Sequence, residues 1–299
     1  MIPTKKSNNY TIIFLTAIVI LLIGGGLYFY LLTNSKSKFN SARAYQDVLS
    51  QTNLGPRTLG SEAHSLEVNW IKDQLEQVNW QVETQVGNQD GFPIENLIAK
   101  KGTGTPWIII GAHYDSRLYA DQDPDLTNHQ KPVPGANDGA SGVAVLLELA
   151  RVLPQKMNKQ IWLVFFDAED QGDINGSDWI LGSRYFAAHL EGVPNAVTVI
   201  DMIGDSNLNI YYETNSDPDL SKSIWESAAN AGYQKQFIPQ PKYSILDDHI
   251  PFVEKGINAV DIIDFDYPYW HTISDTSDKV SPDSLKAVGE TLLKWLETQ

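Results

Sequence analysis

The chain has 299 residues, no cysteine, and 37 acidic against 22 basic residues, for a net charge of −15. So acidic a balance argues against nucleic acid or an anionic membrane surface as a partner. With no thiol available, disulfides, thiolate nucleophiles and Cys-type metal centres are excluded, and any metal must be held by His and carboxylates.

Taken in order, the chain opens with residues 1–9, which include Lys5 and Lys6, and continues into an uncharged run from Tyr10 to Leu32. At about 1.5 Å per residue that run spans a bilayer core as a helix, with Tyr28 and Tyr30 suited to the far interface. The expectation is a cytoplasmic segment 1–9, an uncleaved single-pass transmembrane anchor 10–32 and a polar linker 33–44. A folded domain over 45–299 would then be extracytoplasmic, periplasmic or on the cell surface. That domain is long enough for one substantial core.

Within it, Ala42–Gln51 and Ser61–Val78 read as helices, the second from Val68, Ile71, Leu75 and Val78 at three- and four-residue spacing. A loop holding Gly55-Pro56-Arg57 separates them. Val82–Val86 alternates as an edge strand does, and Asn96–Lys100 is a second strand. The unbroken apolar runs Trp107–Gly111 and Ile161–Phe166 read as buried strands, Val197–Ile203 reads as another, and Asn258–Ile263 as the last strand. Helices are expected at Gly139–Leu153, Gly182–Leu190, Ser221–Ala231, Ile250–Lys255 and Ser284–Glu297. Strands alternating with helices predict an α/β three-layer sandwich with a mixed, mostly parallel central sheet.

Each buried strand runs into residues that ligate metals. The first leads to His113-Tyr114-Asp115, and the loop after it carries Gly135-Ala136-Asn137-Asp138-Gly139. The second ends in Asp167-Ala168-Glu169-Asp170, the third in Asp201, and the last leads to Tyr269-Trp270-His271. In an open α/β sheet ligands gather beyond the carboxyl ends of the strands. His113, Asp138, Asp170, Asp201 and His271 therefore converge on one rim, with Glu169 free to move protons and Asp115 facing the second nitrogen of His113. Taken singly, each has a blander reading: Asp138 as a helix N-cap, Asp201 as a buried hydrogen-bonded acid, Asp167 as structural. His64 and His189 sit in helices and His129 in a polar loop, with no site role expected.

The run Gly111-Ala112-His113-Tyr114-Asp115-Ser116, with Gly135–Gly142, Phe165–Asp170, Gly182-Ser183-Arg184 and Asp248-His249-x-Pro251-Phe252, resembles the zinc aminopeptidase superfamily with co-catalytic metals. Trp270 directly before His271, Asp247–Phe252 and Gly55-Pro56-Arg57 make the chain most similar to glutaminyl-peptide cyclotransferases and their bacterial relatives. The resemblance covers roughly Ala44 to the C-terminus and implies a zinc exopeptidase-like (phosphorylase/hydrolase-like) fold and a zinc-dependent catalytic domain over 45–299. In the cyclase pattern it implies one zinc on Asp138, Asp170 and His271, and Glu169 as general acid/base. Asp201 and Asp248 become carboxylates of the catalytic network, and Trp270 lines the pocket. Tyr269, Tyr267, Phe265 and Trp179 are further candidates for an aromatic pocket that holds an N-terminal Gln for cyclisation to pyroglutamate. In the aminopeptidase pattern His113 and Asp201 join as ligands of a second zinc, Asp138 bridges, and Glu169 deprotonates a water. Either way the substrate is a peptide or protein N-terminus. Asp170 departs from the pattern, since these families usually carry glutamate there. A metal-free binding domain is disfavoured by the intact ligand set.

Overall fold

The computed structural model describes residues 38–299. The segments expected as cytoplasmic (1–9) and transmembrane (10–32), and the first part of the linker (33–37), lie outside the described residues. Among the described residues no helix is long and apolar enough to cross a membrane.

Folded structure starts earlier than the expected domain boundary at residue 45. Phe39 is buried, and α1 spans Ser41–Asn53, with the Asn40 side chain capping it by accepting from the Arg43 amide. Arg43 Nε lies 2.6 Å from Glu148 Oε2, which ties this helix to the domain. Phe39 and Ala44, both within the expected linker, are buried in the main core.

The remaining elements are α2 (Glu62–Gln77), β1 (Gln81–Gln89), β2 (Phe92–Lys101), β3 (Trp107–His113), α3 (Ala140–Val152), β4 (Gln160–Phe166), α4 (Leu181–Ala188), β5 (Ala196–Asp201), β6 (Ile210–Glu213), α5 (Pro218–Ala231), β7 (Phe237–Tyr243), α6 (Ile250–Val253), β8 (Ala259–Ile263) and α7 (Pro282–Thr298). Among the described residues the main sheet has the order β1-β2-β4-β3-β5-β8. β1, β2 and β4 pair antiparallel, whereas β4, β3, β5 and β8 run parallel. The mixed, mostly parallel three-layer sandwich is therefore what forms.

Side-chain alternation along the buried strands builds two cores. Ile108 and Ile110 of β3 point to the face covered by α1, α2, α3, α5 and α7. Ile109, with Val164, Phe166, Val197 and Val199, points to the other face and meets Phe186 of α4 and Phe252 of α6. Because both faces are covered, these strands read as continuous apolar runs. Because four of them are parallel, their carboxyl ends share one rim. A separate two-stranded parallel ribbon, β6–β7, stands beside this rim. It had no counterpart among the sequence expectations: β6 is only four residues long, and β7 carries two prolines, which remove backbone donors and blur a strand pattern.

Candidate active site

The rim assembles as the strand ends require. His113 is the last residue of β3 and Asp201 the last of β5. Glu169 and Asp170 follow β4 through Ala168, and His271 follows β8 through a loop. Ala168, Met202 and His271 all adopt positive φ (51°, 47° and 53°), a left-handed backbone that non-glycine residues hold only where their surroundings impose it. Asp138 sits in the turn before α3. Its helix has Gly139 at the N-cap with no side-chain cap bond, so Asp138 is not a capping residue and its carboxylate is free to face the rim.

Two clusters share Asp138. His113 Nε2 lies 3.1 Å from Asp201 Oδ1 and 3.2 Å from Asp138 Oδ1. His271 Nε2 lies 3.0 Å from Asp170 Oδ1 and 3.7 Å from Asp138 Oδ2. Both oxygens of Asp170 and Oδ2 of Asp138 are buried without a hydrogen-bond partner. Buried acceptors left so are costly unless a cation takes them. Imidazole and carboxylate donors closing on one point make the donor set that zinc accepts when thiolate is absent, so the residues fit such an ion.

Neighbouring groups hold these ligands in place. Asp115 Oδ1 lies 3.4 Å from His113 Nδ1, as expected, and the same carboxylate accepts from the amides of Glu169 (3.0 Å) and Asp170 (3.2 Å). One side chain therefore fixes an imidazole and the turn opposite. Asp275 performs the equivalent task on the other side, accepting from the amides of Asn137 and Asp138 at 2.9 and 3.1 Å. Asp121 Oδ1 stands 3.4 Å from His271 Nδ1, and Arg117 both pairs with Asp121 and donates to the Asp170 carbonyl at 3.2 Å. Arg57 stitches the loop beneath, donating to the carbonyls of Tyr114 and Pro134 at 3.2 and 2.7 Å. Asp121, Asp275 and Arg117 were not legible as site residues, because they lie in irregular loops far apart in sequence.

The clusters open on a cavity of about 260 Å³ whose wall includes Trp179, Tyr243, Leu246, Phe265 and Trp270, with Glu169, Asp201 and Asp247 on its polar side. His271 is sandwiched: Trp179 stacks parallel to it at 5.8 Å and Trp270 at 3.9 Å. Of the aromatic residues expected to line a pocket, Trp270, Phe265 and Trp179 do so. Tyr267 does not: it is buried, and its hydroxyl donates to Asp275 at 2.6 Å. Tyr269 packs edge-on against Tyr267 at 5.5 Å and does not line the cavity. Asp248, expected in the catalytic carboxylate network, is wholly buried and stands with Asp247 close enough to Glu169 to raise its carboxyl. Asp247 is the one of the two that lines the cavity. In the turn entering α6, adjacent side chains diverge, and residue type alone does not say which of the two acids faces inward.

Burial, with Asp170, Asp247 and Asp248 nearby, pushes the Glu169 carboxyl well above the ordinary carboxylate range. Burial acts on Asp170 too, but His271, His113 and Arg117 outweigh it and hold Asp170 below its usual value. Two adjacent carboxyls are thus driven apart, which is the arrangement that separates a proton carrier from a ligand. Asp167 is bound elsewhere: its Oδ1 lies 2.7 Å from His64 Nε2 and its Oδ2 accepts from the Glu95 amide. His64 therefore braces the strand end from below.

Residues 96–296 match the profile of Peptidase family M28. The aminopeptidase YwaD of Bacillus subtilis is 31% identical over 221 residues, covering 68% of this chain and 43% of its own length. The chain thus spans under half of that relative. The glutaminyl-peptide cyclotransferase of Drosophila melanogaster is 28% identical over 277 residues, covering 79% of this chain and 75% of its own. Among solved structures, Bacteroides thetaiotaomicron glutaminyl cyclase bound to N-acetylhistamine superposes with a TM-score of 0.80 at 34% identity, covering 87% of this chain and 98% of that one.

Proposed function

The chain belongs to peptidase family M28, and we propose that within it the protein is a zinc-dependent glutaminyl-peptide cyclotransferase, converting the N-terminal Gln of peptides to pyroglutamate with release of ammonia. The observation that carries this reading is the aromatic cavity set directly over the Asp138–Asp170–His271 cluster, with Glu169 at its polar edge.

Asp138, Asp170 and His271 would hold the zinc, which when bound supplies a Lewis acid for the γ-carboxamide oxygen of the substrate. The substrate's own α-amine attacks the γ-carboxamide carbon, a C–N bond forms, and the C–N bond to the departing nitrogen breaks. Glu169 accepts a proton from the attacking amine and returns it to the leaving ammonia, a duty that a carboxyl of raised pKa performs near neutrality. Both reacting groups belong to one residue, so holding it folded back supplies much of the rate. Trp179, Phe265 and Trp270 enclose that conformer and exclude water, which would otherwise compete for the carbonyl. Asp201 and Asp248 are the carboxylates of the network around Glu169, with Asp247 beside them on the cavity wall.

A second reading, an aminopeptidase removing N-terminal residues, draws on a specific observation: His113 and Asp201 complete a second ligand cluster around Asp138. Incubating the protein with a Gln-initiated peptide separates the two. Ammonia release with loss of about 17 Da, the mass of ammonia expelled when amine and carboxamide condense, supports cyclisation. A free amino acid with a shortened peptide sinks it. The uncharged run of residues 10–32 supports a membrane-anchored, extracytoplasmic catalytic domain, and recovery of the full-length chain in a carbonate-washed membrane fraction tests that placement.

A further inference from the structure

A third cluster lies behind the cavity wall, made by Asp247, His249 and Asp261. Asp247 and His249 precede α6, and Asp261 is the middle residue of β8. His249 and Asp261 are completely buried, and Asp247 is 3% exposed. The orientation of His249 is set from its far side by Glu213, the last residue of β6. Glu213 Oε2 lies 3.0 Å from His249 Nε2, and the Glu213 carboxylate also accepts from the Asn215 and Ile245 amides and the Ser216 hydroxyl. Although burial opposes it, this set of donors, His249 foremost, holds Glu213 down to about 2. With the Glu213 carboxylate on Nε2, Nδ1 is the ring nitrogen turned toward the other two carboxylates.

That nitrogen faces only carboxylate oxygens. His249 Nδ1 is 3.9 Å from Asp261 Oδ2, and neither nitrogen nor oxygen has a hydrogen-bond partner. The same holds for Asp261 Oδ1 and Asp247 Oδ2. Three buried carboxylate oxygens closing on one imidazole nitrogen, none of the four hydrogen-bonded, require positive charge between them. A proton bridges two such atoms and leaves the others unmet. A cation with several coordination positions meets them all. An imidazole beside two carboxylates suits zinc and its transition-metal neighbours rather than calcium or magnesium, which take oxygen. A carboxylate on the far nitrogen is how metal-binding histidines are commonly oriented.

We propose that Asp247, Asp261 and His249 Nδ1 form a buried site for a zinc-class divalent cation, oriented by Glu213 and separate from the clusters around Asp138. Asp247 links the two regions, since it also faces the cavity. A cation there fixes that carboxylate in its ionised form at the wall. The proposal does not rest on the cyclase reading, because its readout needs no substrate.

The test is the zinc-edge anomalous difference map of the purified protein crystallised after zinc loading and dialysis. A peak bounded by Asp247, His249 and Asp261, in addition to density at Asp138, is expected. In solution, His249→Ala and Asp261→Asn should each lower the metal content by one equivalent relative to the parent while the Asp138 peak persists. Zinc at Asp138 with no peak at His249 overturns the proposal and leaves protons and water as the neutralising groups. The map of the parent protein gives this answer even if the variants do not fold.

Discussion

Replacing Glu169 by Gln isolates the proton-transfer role from everything else the rim does. The change is nearly isosteric, and the backbone at 169 and 170 stays pinned, because the Asp115 carboxylate accepts from both amides at 3.0 and 3.2 Å. Glu169 belongs to neither ligand cluster, so the variant should keep its metal. What it loses is a cavity carboxyl that burial and the neighbouring Asp170 raise well above its usual value, and with it the capacity to take and return a proton. Positioned acid–base groups contribute roughly 10²- to 10⁴-fold in rate, which corresponds to about 2.7–5.5 kcal/mol of barrier. The assay is ammonia release from a Gln-initiated peptide, run beside metal analysis and a thermal melt. Turnover should fall by that factor while zinc is retained. The melting temperature should hold or rise, since an amide avoids the cost of burying a carboxylate. Loss of zinc would show Glu169 to be a ligand, and a fall in rate under about tenfold would refute its role in proton transfer.

Two further outcomes follow from groups outside the reacting centre. A Cβ on Gly172 would lie 1.9 Å from ring atoms of Trp179, so Gly172→Ala should push that ring off its stack on His271. We expect kcat/KM to fall on the order of tenfold, about 1.4 kcal/mol, carried mainly by KM, and an unchanged KM would count against Trp179 as a pocket wall. Glu67 on α2 is wholly buried with neither oxygen hydrogen-bonded, and burial, despite Arg57 and His64, pushes it up to about 8 from 4.5. A carboxyl raised on folding binds its proton more tightly in the folded state, so stability is lost as pH climbs from the unfolded value toward the folded one. At pH 7 the loss is about 3 kcal/mol. Glu67→Gln should therefore gain on the parent between pH 5 and pH 8, by roughly 5–10 °C in Tm. A Tm difference that does not change with pH would refute the assignment.

The parallel strands and their ligands were legible because both signals are local. A buried strand declares itself as an apolar run, and a ligand-type side chain at its end needs no knowledge of distant partners. His113, Asp138, Glu169, Asp170, Asp201 and His271 all came out of that reasoning, and they meet at the rim. What escaped depends on chain direction in irregular segments. In Phe265–Trp270 the backbone is neither helix nor strand, so no period told Tyr267, which turns to Asp275, from Trp270, which turns to the cavity. Asp247 and Asp248 differ only in which way a short turn points them. His64 was read as an ordinary helical residue because its partner, Asp167, lies 103 positions away.

The β6–β7 ribbon stands apart from the sheet that carries the ligands, yet β7 ends at Tyr243 and leads straight into Ser244–Asp247, which form part of the cavity wall. Reactivity and selectivity therefore rest on different pieces of chain. The strand ends are locked by a two-sided core and tolerate little change, whereas the ribbon borders solvent along much of β7. Insertions or substitutions over residues 237–244, short of the acids at 247 and 248, can reshape what is admitted without disturbing how it is transformed. A lineage can in this way acquire a new substrate by editing one hairpin-sized segment while its reaction centre stays as it was.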